Sequence, residues 1–365
     1  MKKLIFVVAV AAIAAVSCSK TYENRTTSSE GTPIMLGSWA DNLTKARTVG
    51  ASSFESGDKF FAYAYTSTGQ TPFLGETVNY SGSAWTYSPL RFWDRNNDYY
   101  DFYAISPSED VAVGDIVNNN YSDGTFLSKT ITLAGNNNDI LVADKKQVVK
   151  ANFGQEVELN FRHINALFDL KVRKGDGLKA LDVNGQGAVL EIQSIALENI
   201  NSAGAFTVTG YDSSTKAANI SWSPSATTSY TNASGVTPVT LPLTVINFLS
   251  DGDTQDLITN LVVMPQTFAT GAQRLKISYT ITTGTGSSEQ VLTFTNKTYD
   301  LNLFDNADYP TDSDSDGDYN DDTPVTGFVG GVHYTYIITI DAEAIVFNAT
   351  LEPWTTDNGY YYILN

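Results

Sequence analysis

The apolar positions of this 365-residue chain fall into many short runs. Most of the runs alternate or cluster aromatic and β-branched residues between Gly, Asn, Asp and Ser. In the first half KFFAYAYT (59–66), TVNYSGSAWTYS, YYDFYAIS, TFLSKTITLAG and EVELNFRHINALFDLKVRK (156–174) follow this pattern. AVLEIQSIALENI, AFTVTGY, LTVINFL, LITNLVVMP, RLKISYTITT, EQVLTFTNKTYDLNL, HYTYIITI and AIVFNATLEPW continue it. Such side chains suit a pleated, half-buried surface, and the turn formers between them end each strand. Beyond residue 16 no long stretch keeps a helical period; the short LKALDV (178–183) is the best helix candidate. The pattern predicts an all-β chain built of sandwiches. No repeat of fixed period is visible. The long run over 156–174 can leave one sandwich and enter the next, so two domains are expected, 48–165 and 166–365.

The start of the chain differs from everything after it. Lys2 and Lys3 precede an unbroken apolar stretch, Leu4 to Val16, and small residues lead to Cys18. A charged start, an apolar core and a small-residue cleavage site mark a secretory signal, here residues 1–17. The apolar run is too short to span a bilayer comfortably. Ala15-Val16-Ser17-Cys18 looks like a lipobox, with Ala15 where leucine is commoner. Cys18, the only cysteine in the chain, is then the site of lipidation, by palmitate and related chains. The competing reading is an ordinary signal peptide with an incidental cysteine. Either way the rest of the chain is expected outside the cytoplasm, and on the lipobox reading it is tethered there by its lipid.

After Cys18 a polar stretch, SKTYENRTTSSEGTP, reads as a tether. Ile34, Met35 and Leu36 then form an apolar island with Trp39 close by, and DNLTKARTVGASSFESGD (41–58) follows as a loop carrying Lys45 and Arg47.

Composition narrows the function classes. Hydrophobic residues make up 42% of the chain and aromatic residues 12%, ample for two cores. Formal charge is −18, and losing two positive charges with Lys2 and Lys3 takes it to −20. So acidic a protein is a poor partner for nucleic acid or an anionic membrane surface. A single cysteine allows no intramolecular disulfide, so each domain must stand on its own core.

Candidate chemistry is sparse. Thr311 to Pro324 reads TDSDSDGDYNDDTP, with Asp312, Asp314, Asp316 and Asp318 at alternate positions and Gly317 at a sharp turn. The spacing resembles a calcium loop. Thr323, however, stands where the bidentate acid belongs, and no flanking helices are evident. A solvated acidic hairpin loop is the preferred reading; if a metal binds, the hard oxygen donors select calcium. His163 and His333, the only histidines, lie far apart without ligand spacing and make no zinc site. His163 is expected to satisfy a hydrogen bond near the domain junction. No nucleophile elbow, phosphate loop or dinucleotide fingerprint occurs, and the carboxylates cluster in turns, so no enzyme is expected. Trp85 with Tyr87, and Trp93 with Tyr99 and Tyr100, are candidate sugar-stacking platforms. Strand aromatics more often fill cores.

Several passages, in order, resemble the fimbrillin family, the lipoprotein-derived subunits of type V pili of Gram-negative anaerobes. They are FESGDKFFAYAYT (54–66), LRFWDRNNDYYDFYAISP (90–107), and NNDILVADKK together with VELNFRHINALFDLKV. The closing HYTYIITIDAEAIVFNATLEPW adds to them. The resemblance implies two tandem transthyretin-like β-sandwich domains and a role as a pilus structural subunit that supports adhesion. It also implies a maturation route in which the lipidated precursor reaches the outer membrane and an arginine-specific protease removes an N-terminal strand. Arg47 is the matching site, with Lys45 and Arg25 as lesser candidates. The lipidated propeptide is then 18–47, and the strand removed contains Ile34, Met35, Leu36 and Trp39.

An edge strand taken from a sandwich leaves unpaired backbone groups and an open apolar groove, and a strand of another subunit can fill both. The tail after Trp354 offers one: Tyr360, Tyr362 and Leu364 alternate with Tyr361 and Ile363. The plainer reading is an ordinary edge strand of its own domain. The partners expected are other pilus subunits, with a host or bacterial surface ligand left open. The alternative to a shaft subunit is a permanently anchored surface lipoprotein that binds glycans, or a tip or accessory adhesin.

Overall fold

The structure is a computed structural model. It describes residues 31–39, 54, 56–107, 127–132, 139–175, 178, 188–212, 217–231, 244–246, 255–284, 286–303, 305–306, 325–340 and 345–353. The described residues form strands joined by turns and short 3-10 segments. The chain is all-β.

The first strands are β1 (Met35–Trp39), β2 (Lys59–Thr66), β3 (Phe73–Tyr80), β4 (Trp85–Thr86), β5 (Tyr99–Pro107), β6 (Leu127–Thr132), β7 (Ile140–Val149), β8 (Glu156–Asn160) and β9 (Arg162–His163). Then come β10 (Ala166–Lys174), β11 (Val189–Asp212), β12 (Ala217–Thr231), β13 (Thr244–Ile246), β14 (Gln255–Val263), β15 (Gln266–Thr267) and β16 (Arg274–Thr283). The last are β17 (Gln290–Asp300), β18 (Asp305–Asn306), β19 (Gly327–Phe328), β20 (Val332–Ile340) and β21 (Ile345–Pro353).

One six-stranded sheet runs β4-β3-β2-β5-β7-β9, and β1 pairs with β8 as a separate ribbon. The later strands make a sheet β12-β11-β16-β17, joined by β13 and β6 through β11, and a five-stranded sheet β14-β10-β20-β21-β18. A small ribbon, β15-β19, completes the set.

The near-continuous apolar runs of β2, β5 and β7 have a direct cause: both faces of their sheet are covered. Along β2, Phe60, Ala62 and Ala64 enter one buried cluster with Ile34 and Leu36, while Phe61, Tyr63 and Tyr65 enter another. β5 divides in the same way, with Tyr100, Phe102 and Ala104 on the first face and Tyr103 and Ile105 on the second. The second face meets Leu167, Phe206, Val262 and Met264 from later in the chain. A third cluster lies wholly within the later strands, between Phe168, Leu170 and Val172 of β10 and residues such as Ile195, Ile277 and Ile338. Strand residues i and i+1 point to opposite faces, so one apolar run serves two cores.

Several elements differ from the sequence expectation. The run over 156–174 is not one strand but three, β8, β9 and β10, broken at Phe161 and again at Ile164–Asn165. The two runs from Ala188 to Tyr211 are instead one 24-residue strand, β11. Its continuity across Asn199 to Gly204 is kept by register shifts against β12 that absorb the irregular residues. β12 is a strand the alternation did not predict, because Pro224 and many polar residues disguise it; its residues from 221 to 230 are mostly exposed. Of the helix candidate LKALDV only Leu178 is described, and it is buried.

Four non-glycine residues have φ near +50° to +60°: Gln147, Asn199, Asn260 and Asn296. Each lies at or opposite a register shift between neighbouring strands. At three of them the backbone N–H donates to a side chain on the opposing strand: Gln147 to Asp101 Oδ1 at 2.7 Å, Asn260 to Asp169 Oδ1 at 2.6 Å, and Asn296 to Ser278 Oγ at 2.9 Å. A bulge turns one backbone donor out of the ladder, and the side chain opposite satisfies it.

Candidate functional site

The sequence singles out Ile34 to Trp39, and the fold gives this segment an unusual setting. β1 pairs in parallel with β8, with Leu36 opposite Val157 and Ser38 opposite Leu159. β8 alternates strictly, placing Val157 and Leu159 inward and Glu156, Glu158 and Asn160 outward. Ile34 (0% exposed) and Leu36 (4%) point the same way as these inward residues. Met35 is half-buried between them. The side chain of Trp39 lies outside the described residues, although its backbone belongs to β1.

The bed beneath β1 is aromatic. Trp93 stacks on Phe153 at 4.4 Å between centroids and meets Tyr100 edge-on at 4.9 Å. Phe60 and Phe54 each contact both Trp85 and Phe161. The proposed sugar platforms are therefore core residues for the most part. Trp93 and Tyr100 are 5% and 1% exposed, while Trp85, Tyr87 and Tyr99 are half-buried. Covering such a bed with Ile34 and Leu36 is worth roughly 1.5–3 kcal/mol per side chain.

The N-terminal end of β1 is held from the other flank by the chain between β4 and β5. The Ile34 N–H donates to Arg91 O at 2.8 Å, and the Trp93 N–H donates to Thr32 O at 2.9 Å. Pro33 and Phe92 form an antiparallel bridge between these bonds. Tyr87 Oη donates to Ile34 O at 2.5 Å and accepts the Arg91 N–H at 3.3 Å. The Arg91 guanidinium pairs with Glu76. Burial raises the Tyr87 phenol above its usual 10, against the lowering effects of the Arg91 N–H and guanidinium. The hydroxyl is therefore a neutral donor at physiological pH. None of Tyr87, Arg91 and Glu76 was readable as part of this site, since nothing in local sequence links position 87 to position 34.

The other residues marked by the sequence are not brought to this site. Cys18, Arg47, Tyr360 to Leu364, and Asp312, Asp314, Asp316 and Asp318 lie outside the described residues. Among the described residues no group of three or more His, Cys, Asp or Glu could hold a metal ion. No helix among them is long and apolar enough to cross a membrane. His163 Nδ1 lies 2.6 Å from Asp139 Oδ2, both side chains being 2% exposed. It lies in β9, separated from β10 by Ile164 and Asn165. His333 Nε2 lies 2.8 Å from Asp169 Oδ2.

A family model described as fimbrillin-like matches residues 44–354, most of the chain. The chain belongs to the fimbrillin-like family. Its fold is that of a solved fimbrial protein from Bacteroides vulgatus, with a TM-score of 0.58 at 19% identity over 88% of this chain and 99% of that one. Looser likenesses extend to a Bacteroides uniformis protein assigned to cell adhesion, with a TM-score of 0.46 at 16% identity, covering 88% of this chain and 98% of that one. The tip fimbrial protein Mfa3 of Porphyromonas gingivalis, with a C-terminal truncation, gives a TM-score of 0.39 at 10% identity, covering 82% of this chain and 95% of its own. No curated protein matches this fimbrillin-like chain by sequence.

Proposed function

We propose that this fimbrillin-like chain is a structural subunit of a cell-surface pilus, exported as a lipoprotein precursor and without enzymatic activity. In this reading Cys18 carries the lipid, Arg47 is the maturation site, and β1 with Ile34 is the strand that leaves. Tyr360 to Leu364 of another subunit then enter the vacated slot, and the subunits bind one another end to end.

The observation that carries the reading is the setting of β1. It is a short strand, paired in parallel with β8 and tied at its N-terminal end to residues 91–93, that plugs an aromatic bed through Ile34 and Leu36. Lifting it out opens an apolar groove flanked by unpaired backbone on β8. A strand from a neighbour supplies what is missing in both respects. Family membership supports the pilus role; the leader supports export with a lipid on Cys18, which is temporary if Arg47 is cut.

The test is made on purified precursor treated with an arginine-specific protease. Cleavage is expected next to Arg47, followed by ladders of polymers, and Arg47→Ala is expected to remain monomeric. Deleting Thr355 to Asn365 is expected to allow cleavage but prevent polymers. A cleaved wild-type product that stays monomeric overturns the shaft role.

A further inference from the structure

We infer that Tyr87 is a positioning residue that keeps β1 docked after its chain connection is cut, so that maturation consists of two separable steps, cleavage and release. The inference rests on the proposed role of β1 as the removed strand, and it adds a control point which that role does not require.

The contacts that hold β1 are arranged so that a cut leaves them intact. The connection to the rest of the subunit departs after Trp39, at the C-terminal end of the strand. The bonds from Arg91 O, Trp93 N–H and Tyr87 Oη grip residues 32 and 34, at the opposite end. Ile34 and Leu36 stay in their bed, and the five-residue parallel register with β8 is unaffected. Cutting the connection only converts an intramolecular contact into a bimolecular one, removing the effective concentration that the linker supplied.

Tyr87 suits this role because it is itself held on several sides. Its ring meets Phe73 edge-on at 5.2 Å. Its oxygen already accepts the Arg91 N–H, so its proton is directed to Ile34 O. The Arg91–Glu76 pair fixes the backbone that supplies that N–H and the carbonyl bonded to Ile34. The hydroxyl recognises a main-chain carbonyl, not a side chain. Tyr87 therefore grips any strand laid in the slot in this register, the incoming one included.

The experiment uses the unlipidated full chain, labelled with a fluorophore at Cys18, its only cysteine. A site for an unrelated specific protease replaces residues 44–48, so cleavage does not depend on Arg47 being the natural site. After cutting, the labelled fragment is expected to co-elute with the body and to leave slowly. Tyr87→Phe is expected to release it roughly two- to tenfold faster, the effect of losing one hydrogen bond. Glu76→Gln is expected to act in the same direction with a smaller effect, and it covers the case in which Tyr87→Phe fails to fold. Fragment loss from the wild type as fast as cleavage itself overturns the inference. So do equal release rates in the wild type and in whichever of these variants fold. If release follows the expectation but the freed body forms no polymers, the pilus reading fails and Tyr87 keeps its role. If polymers form but release ignores Tyr87, only the positioning role falls.

Discussion

At the scale of single residues, the bulge partners are the most informative positions in this chain. Asp101 is 2% exposed and accepts the backbone N–H of Gln147 across the β5–β7 pair. Asp101→Leu is expected to strand that donor and cost roughly 1–3 kcal/mol, whereas Asp101→Asn keeps an acceptor and costs less. Denaturant unfolding of the two variants checks the difference. Asp169 has the same role for Asn260. Burial pulls its carboxyl upward, but the hydrogen bonds from His333 and Asn260 and the charges of His333 and Lys171 outweigh burial and hold it below its usual 3.8.

Buried phenols give a second expectation at this scale. Desolvation pushes Tyr65, Tyr230, Tyr279 and Tyr334 up to about 12, and Tyr336 well above its usual 10. A raised native pKa means that the unfolded chain loses its protons first. The stability these neutral phenols contribute is complete below pH 10 and falls as pH rises from 10 towards 12. Thermal unfolding followed from pH 8 to pH 11.5 is expected to show a melting temperature that is flat at first and then drops steeply above pH 10. A melting temperature that stays flat to pH 11.5 contradicts it.

At the scale of elements, strands and their faces were legible where period 2 was clean. KFFAYAYT was expected as a strand and is β2, residue for residue. The break of 156–174 into three strands was not legible, because apolar residues run through the breaks. Here the turn is decided by contacts with a distant segment. The Gly331 N–H donates to Asn165 O at 2.8 Å, and Gly330 lies against the Ile164 carbonyl so closely that a Cβ would sit 2.5 Å from its oxygen. The continuity of β11 has a similar basis. A Cβ on Gly204 would lie 2.7 Å from Ser223 O and 3.0 Å from Pro224 Cα, both backbone atoms that cannot swing aside. Gly204→Ala is therefore expected to push β11 and β12 apart and to destabilise by roughly 1–3 kcal/mol. Chemical denaturation measures that cost, and a neutral substitution would show that the long hairpin tolerates separation.

At the scale of the whole molecule, the earlier and later strands share a core. Tyr63, Tyr65, Tyr103 and Ile140 on one side are buried with Leu167, Phe206, Val262 and Met264 on the other. β6, from the connection between β5 and β7, pairs with residues 203–208 of β11 among the later strands. Earlier and later strands tied by this shared apolar layer and by the β6–β11 pairing are expected to unfold together. Calorimetry is expected to show one transition, with calorimetric and van't Hoff enthalpies in agreement. Two resolved transitions would mean that the shared layer contributes little.

Sequence by itself determined the all-β class, most strand positions and the acidic character with its single cysteine. These follow from local alternation, composition and order along the chain, which need no knowledge of partners. Tertiary structure alone decided which face of each strand is buried against which core, because a run apolar on both faces reads the same whatever covers it. It also decided that Tyr87 and Arg91 grip the end of β1, with Glu76 paired to Arg91 behind them. Tyr87 and Ile34, 53 positions apart, carry no mutual signal in one sequence, and only the fold brings a tyrosine hydroxyl to a carbonyl at position 34.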